Sequence, residues 1–134
     1  MKSQFGGVWP AMFTPVTADG KPSLAVCEQL VALFVKQGLG GIYLTGSTGQ
    51  WPLFTIEERK AIAECVVKAA KGKIPVMVHV AAVTTADAID LAKHAAKIGA
   101  DAVSAVGPIY YSHSVDTVFD YYTHIGGASD LPLF

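Results

Sequence analysis

Four short apolar runs, at residues 8–13 (VWPAMF), 41–44 (GIYL), 76–80 (VMVHV) and 102–106 (AVSAV), begin about every thirty residues along the chain. Runs of this length without polar alternation are what parallel strands produce when crossover helices cover both faces of a sheet. The stretches between them carry helix signals. Residues 24–36 repeat Leu24, Cys27, Val31 and Phe34 at helical spacing behind Ser23 as N-cap, and Gly38 follows as a stop. Thr55 and Glu58 form a T-x-x-E capping box ahead of the stripe Ile62, Val66 and Ala69. A third helix over residues 85–98 opens with Thr84 and Asp87 and closes at Gly99. A fourth runs from a cap at Ser114 to Gly126 and Gly127, with Val115, Val118, Phe119, Tyr122 and Ile125 on one side.

Four consecutive βα units fit either a (β/α)8 barrel or a doubly wound sheet. A dinucleotide fold places G-x-G-x-x-G after its first strand. Here the first run is followed by TPVTADG, and a glycine loop follows the second. The pattern therefore predicts an α/β chain that is the N-terminal half of a (β/α)8 TIM barrel, a single partial domain over residues 1–134. A closed barrel takes eight strands and usually about 250 residues. Residues 130–134 (DLPLF) look like the entry into a fifth strand. An open parallel edge leaves backbone groups unpaired, so the expectation is a truncated chain; a half-barrel that completes itself against a second copy is the alternative.

Composition excludes several function classes. With 51% hydrophobic residues, 16% charged residues and a formal net charge of -1, the chain has material for one core and no basic footprint for nucleic acid or an anionic membrane. No apolar run approaches the ~18 residues of a membrane span, and the N-terminus lacks the pattern of a signal peptide, so a cytoplasmic location is expected. Cys27 and Cys65 lie in helical patterns and are read as packing residues. His94, His113 and His124 do not form a metal-ligand spacing, and no metal is expected.

The carboxyl ends of barrel strands carry the site in this architecture. Three of the four corresponding loops hold hydroxyls: Thr14-Pro15, then residues 46–50 (GSTGQ), then residues 81–85 (AAVTT). The fourth, GPIYYSHS, carries paired tyrosines. Gly46 and Gly49 permit close backbone approach to a ligand, while Ser47 and Thr48 offer hydroxyl and amide donors to a carboxylate or phosphate. A turn with ordinary Ser/Thr hydrogen bonds is the competing reading.

GSTGQWPLFTIEER resembles the G-[ST]-T-G-E…L-[ST]-x-x-E-R signature of the dihydrodipicolinate synthase and N-acetylneuraminate lyase family of pyruvate-dependent aldolases. AMFTPVTADG, GADAVSAVGPIYYS and DLPLF resemble the family's first strand and loop, its fourth strand and tyrosine loop, and the lead into its fifth strand, in that order. The resemblance implies a (β/α)8 barrel, usually a homotetramer, that joins or cleaves pyruvate and an aldehyde through a lysine Schiff base without a separate cofactor. It implies that Ser47 and Thr48 hold the pyruvate carboxylate, that Ser47 joins a hydroxyl relay, and that Tyr110 serves this relay across a subunit interface. Tyr111, Tyr121 and Tyr122 are read as packing residues.

The family's principal tyrosine and its Schiff-base lysine fall beyond Phe134. None of Lys2, Lys21, Lys36, Lys60, Lys68, Lys71, Lys73, Lys93 or Lys97 matches the lysine position, so the chain alone is expected not to catalyse the reaction. His79-Val80 and SAVGPIYYS are similar to the N-acetylneuraminate lyase branch, and His79 itself is read as a hydrogen-bonded residue at the barrel's inner edge. Gln50 stands where the family has glutamate, and the aldehyde stays open between sialic acid, sugar 2-keto-3-deoxy acids and aspartate semialdehyde. A non-catalytic pyruvate-binding module or a self-assembling half-barrel is the alternative function.

Overall fold

The structure, a computed structural model, describes residues 5–134. Three parallel strands, β1 (Ile42–Leu44), β2 (Val76–His79) and β3 (Ala102–Ser104), lie in the order β1-β2-β3. Their register pairs Tyr43 with Met77 and Met77 with Ala102, then His79 with Ser104. Single parallel bridges continue the sheet on both sides, Ala11 to Tyr43 and Val103 to Leu133. Five parallel positions follow one another in chain order, as in half of a TIM barrel.

The first of the outer positions corrects the expectation of a full strand, while the Leu133 bridge agrees with the expected entry into a fifth. The run at residues 8–13 makes one bridge, secured by Met12 N–H to the Tyr43 carbonyl at 2.9 Å and Tyr43 N–H to the Pro10 carbonyl at 3.0 Å. Val8 and Phe13 are exposed and only Met12 of the run is buried. Pro10 has no N–H to extend a ladder, and this edge has a neighbour on one side only.

Alternation along the strands separates two faces. Ile42, Leu44, Val76, Val78 and Val103 point to the helices and form the core with Cys27, Val31, Ile62, Val66, Ala88, Leu91, Ala92 and Ile125. Tyr43, Met77 and Ala102 share the other face, and His79 and Ser104 continue it toward the carboxyl ends. The helices α1 (Leu24–Lys36), α2 (Ile56–Ala70), α3 (Thr85–Ile98) and α4 (Val115–Gly126) form the outer layer. Among the described residues, no helix is long and apolar enough to cross a membrane.

The helix starts follow the sequence signals with one exception. Both halves of the Thr55/Glu58 capping box are present, and the Thr84 and Ser114 side chains accept from the backbone N–H of Asp87 and Thr117. Ser23 occupies the N-cap of α1 but makes no side-chain cap bond; its backbone N–H is committed to the Pro15 carbonyl at 2.8 Å. The apolar stripe expected on α4 is rotated. Tyr121 and Ile125 form the buried side, whereas Val115 and Phe119 are 84% and 69% exposed. The Tyr121 hydroxyl sets this rotation by accepting from Ala82 N–H at 3.1 Å and donating to the Ala82 carbonyl at 3.2 Å.

Candidate functional site

The loop at residues 46–50 leaves the carboxyl end of β1 through Thr45, a non-glycine residue held at φ 53°. Its hydroxyl contacts the Leu44 carbonyl at 2.8 Å and the His79 carbonyl at 3.2 Å, tying the start of the loop to the end of β2. The loop ends at Gln50, also left-handed at φ 55°, before a short 3₁₀ turn, Trp51–Leu53. Two left-handed residues other than glycine in one short loop store backbone strain, which persists only where the surroundings enforce the conformation.

The loop's glycines serve the protein's own packing. A β-carbon on Gly46 would overlap the ring of Tyr43, and one on Gly49 would lie 3.0 Å from the Thr45 α-carbon and 3.1 Å from the Met12 carbonyl. They let the loop fold down onto β1 and onto the segment before it. Thr14 completes the attachment by donating its hydroxyl to the Gly49 carbonyl at 2.7 Å. Ser47 and Thr48, between the glycines, are exposed at the carboxyl mouth of the sheet. Gln50 N–H closes the turn on the Ser47 carbonyl at 2.9 Å.

Beneath the loop lies a buried cluster centred on the end of β2. Arg59, the chain's single arginine, projects inward from the first turns of α2 and is 2% exposed. It donates to the carbonyls of Ala81 and His79, both at 2.8 Å, and its guanidinium lies 5.0 Å from the centre of the Trp51 ring. Trp51 also packs 5.4 Å from the His79 ring. Burial, reinforced by the positive charge of Arg59, pulls the His79 imidazole down to about 4, so it is neutral at physiological pH. Its Nε2 accepts the Val106 N–H at 3.4 Å, which places it as the hydrogen-bonded inner-edge residue the sequence suggests. Burial also lowers Arg59, to about 10, which leaves it protonated.

Tyr110 lies on the loop after β3 at φ 84° and is 85% exposed. Its contact within the chain is an edge-on stack with Tyr111, centroids 4.9 Å apart. The structure thus brings Ser47, Thr48, Gly46 and Gly49 together and leaves Tyr110 standing outward. Tyr111 is 72% exposed, against its reading as a packing residue, because it precedes α4 and has no helix to turn it inward. Tyr121 and Tyr122 do pack, centroids 5.8 Å apart. Among the described residues the lysines lie on helices, in turns or, for Lys21, in a connecting segment, and none on a strand, while Lys2 lies outside the described residues.

Thr45, Trp51 and Arg59 are site residues that the sequence reading missed. The signal for Arg59 was the final arginine of the IEER stretch, which follows the capping-box glutamate directly. The signal for Trp51 was a large aromatic immediately after a glycine loop.

A family model, the dihydrodipicolinate synthetase family, matches residues 4–134. The chain belongs to this family. Within it the chain is 38% identical over 134 residues to an N-acetylneuraminate lyase of Enterobacter sp. (strain 638), an alignment covering 99% of this chain and 45% of the relative. The crystal structure of N-acetylneuraminate lyase from Mycoplasma synoviae superposes with a TM-score of 0.94 at 36% identity, covering 98% of this chain and 46% of that one. A dihydrodipicolinate synthase from Bacillus anthracis superposes with a TM-score of 0.90 at 32% identity, covering 99% of this chain and 45% of that one. The chain spans 45% of the length of the Enterobacter relative, and these family structures identify its five parallel positions as part of a TIM barrel.

Proposed function

We propose that this chain is the carboxylate-binding part of a pyruvate-dependent, Schiff-base-forming aldolase of the N-acetylneuraminate lyase type. The observation that carries the reading is the loop at residues 46–50, which presents two exposed hydroxyl residues at the carboxyl mouth of the sheet from a backbone pinned at both ends. A small carboxylate is held well by several fixed donors whose geometry is set before it arrives. Ser47 and Thr48 supply hydroxyl and amide donors for it, and Ser47 also passes protons to and from the substrate. Tyr110, outward in one chain, serves the site of a second copy in a homo-oligomer, a tetramer for the whole protein. The site needs no metal or separate cofactor.

In the reaction, a lysine amine adds to the C2 carbonyl of pyruvate or of the keto acid to be cleaved and expels water to leave an imine. That lysine is not among the residues here. Residues 1–134 form one partial barrel domain that binds the carboxylate without turnover, within a cytoplasmic enzyme. The likeness to N-acetylneuraminate lyases at 36% to 38% identity favours sialic acid as the substrate cleaved, giving pyruvate and an amino-sugar aldehyde. The test is reductive trapping: the chain, and the product of its reading frame continued past Phe134, are treated with pyruvate and borohydride and weighed. One pyruvyl adduct on a lysine of the continued product, with none on the 134-residue chain, is the expected result. A folded continued product that takes no adduct refutes the Schiff-base mechanism.

A further inference from the structure

We propose that Arg59 is a specificity-determining residue, whose buried charge, without a paired carboxylate beneath the 46–50 loop, makes that loop select an anionic ligand over a neutral one of the same shape. The proposal rests on the reading of this loop as a carboxylate site and adds the source of its charge selectivity.

Three observations place the charge there. The guanidinium donates only to neutral carbonyls, those of Ala81 and His79. Among the described residues no carboxylate pairs with it within 4.0 Å. Glu58, its neighbour in sequence, pairs with Lys21 at 3.0 Å on the exposed side and caps Thr55. Asp87 takes the Thr84 hydroxyl at 2.6 Å, and its carboxylate offsets part of the Arg59 charge through space without pairing with it. Tyr121, the other titratable group bearing on Arg59, is a phenol whose burial favours its neutral form. An arginine held without a counter-ion in the interior is costly to desolvate, and carbonyl dipoles offset that cost without cancelling the net charge.

The charge also sits between both ends of the loop. Arg59 and Thr45 donate to one and the same carbonyl, that of His79. Thr45 opens the loop, and Trp51, whose ring the guanidinium covers, closes it. At an effective dielectric of about 20, a unit charge acting over about 10 Å is worth about tenfold in affinity for a carboxylate. A neutral ligand gains nothing from it.

The experiment titrates the ¹⁵N-labelled chain with pyruvate and, separately, with pyruvamide, its uncharged isostere, following the Ser47 and Thr48 amide signals. The wild type is expected to prefer pyruvate about tenfold. In Arg59→Gln the preference is expected to vanish, with pyruvate affinity falling about tenfold more than pyruvamide affinity, while Arg59→Lys keeps the preference. Equal losses for both ligands in a folded Arg59→Gln variant, or no loss for either, overturn the proposal. Should Arg59→Gln not fold, the wild type itself decides, since equal affinity for the two ligands overturns the proposal without any variant. A wild type that binds neither ligand refutes the carboxylate reading of the loop, an outcome distinct from the failure of Arg59 alone.

Discussion

The ring of Tyr43 fills the space that a β-carbon on Gly46 would need. The residue before the two exposed hydroxyl residues is therefore held by the strand that leads into the loop. Gly46→Ala must push the ring or the loop aside, and overpacking of this kind costs about 1–3 kcal/mol. Urea unfolding is expected to show that loss, together with shifted Ser47 and Thr48 amide signals. An unchanged midpoint and unchanged signals would show that the contact does not constrain the loop.

Tyr121 ties α4 to the segment after β2 through both backbone groups of Ala82, at 3.1 and 3.2 Å. Tyr121→Phe leaves a buried N–H and a buried carbonyl without this partner, at a cost of about 1–3 kcal/mol. Thermal unfolding measures it, and hydrogen exchange at Ala82 is expected to accelerate. A stability equal to wild type would mean that another group takes up Ala82.

Thr55 and Glu58 satisfy each other's backbone at the start of α2, with Glu58 N–H to the Thr55 hydroxyl at 3.2 Å and Thr55 N–H to the Glu58 carboxylate at 3.0 Å. Thr55→Ala removes the cap and is expected to cost about 1 kcal/mol in urea unfolding. Because Arg59 follows Glu58 directly, the same variant is expected to loosen the guanidinium from the carbonyls of His79 and Ala81. Pyruvate affinity should fall with stability, and a cap loss that leaves affinity intact would separate the two.

His79 makes stability depend on pH. Burial and the charge of Arg59 hold its imidazole down to about 4 in the folded chain, against about 6.5 unfolded. The unfolded chain takes up the proton first as pH falls, so this stability is complete above about pH 7 and is lost through 6.5 down to about 4. Between pH 7 and 5 the loss is about 2 kcal/mol. Unfolding of wild type and His79→Gln at both pH values is expected to show this difference in slope; parallel slopes would mean that His79 takes up its proton in the fold as readily as in the unfolded chain.

The βα alternation was legible because each helix carries its own start signal and each strand is a pure apolar run covered on both sides. Residues 8–13 read like the other runs, yet that segment pairs through one bridge, since pairing depends on its neighbours and on the missing N–H of Pro10. The rotation of α4 was hidden for a related reason: Val115 and Phe119 fit the helical period, but the bond from Tyr121 to Ala82 chooses the buried face. At the site, the family motif and its two hydroxyl residues were visible in GSTG. What holds them was not, because Thr45, Trp51 and Arg59 come together around the His79 carbonyl and ring from three separate elements.

The central claim is that Ser47 and Thr48 form a carboxylate site, and pyruvate titration of the labelled chain against Ser47→Ala and Thr48→Val tests it most directly. Saturable shifts centred on the amides of residues 46–50 in the wild type, weakened about tenfold or more in each variant whose remaining spectrum is unchanged, are the predicted result. Shifts centred elsewhere, or affinity that survives in both variants, would contradict it.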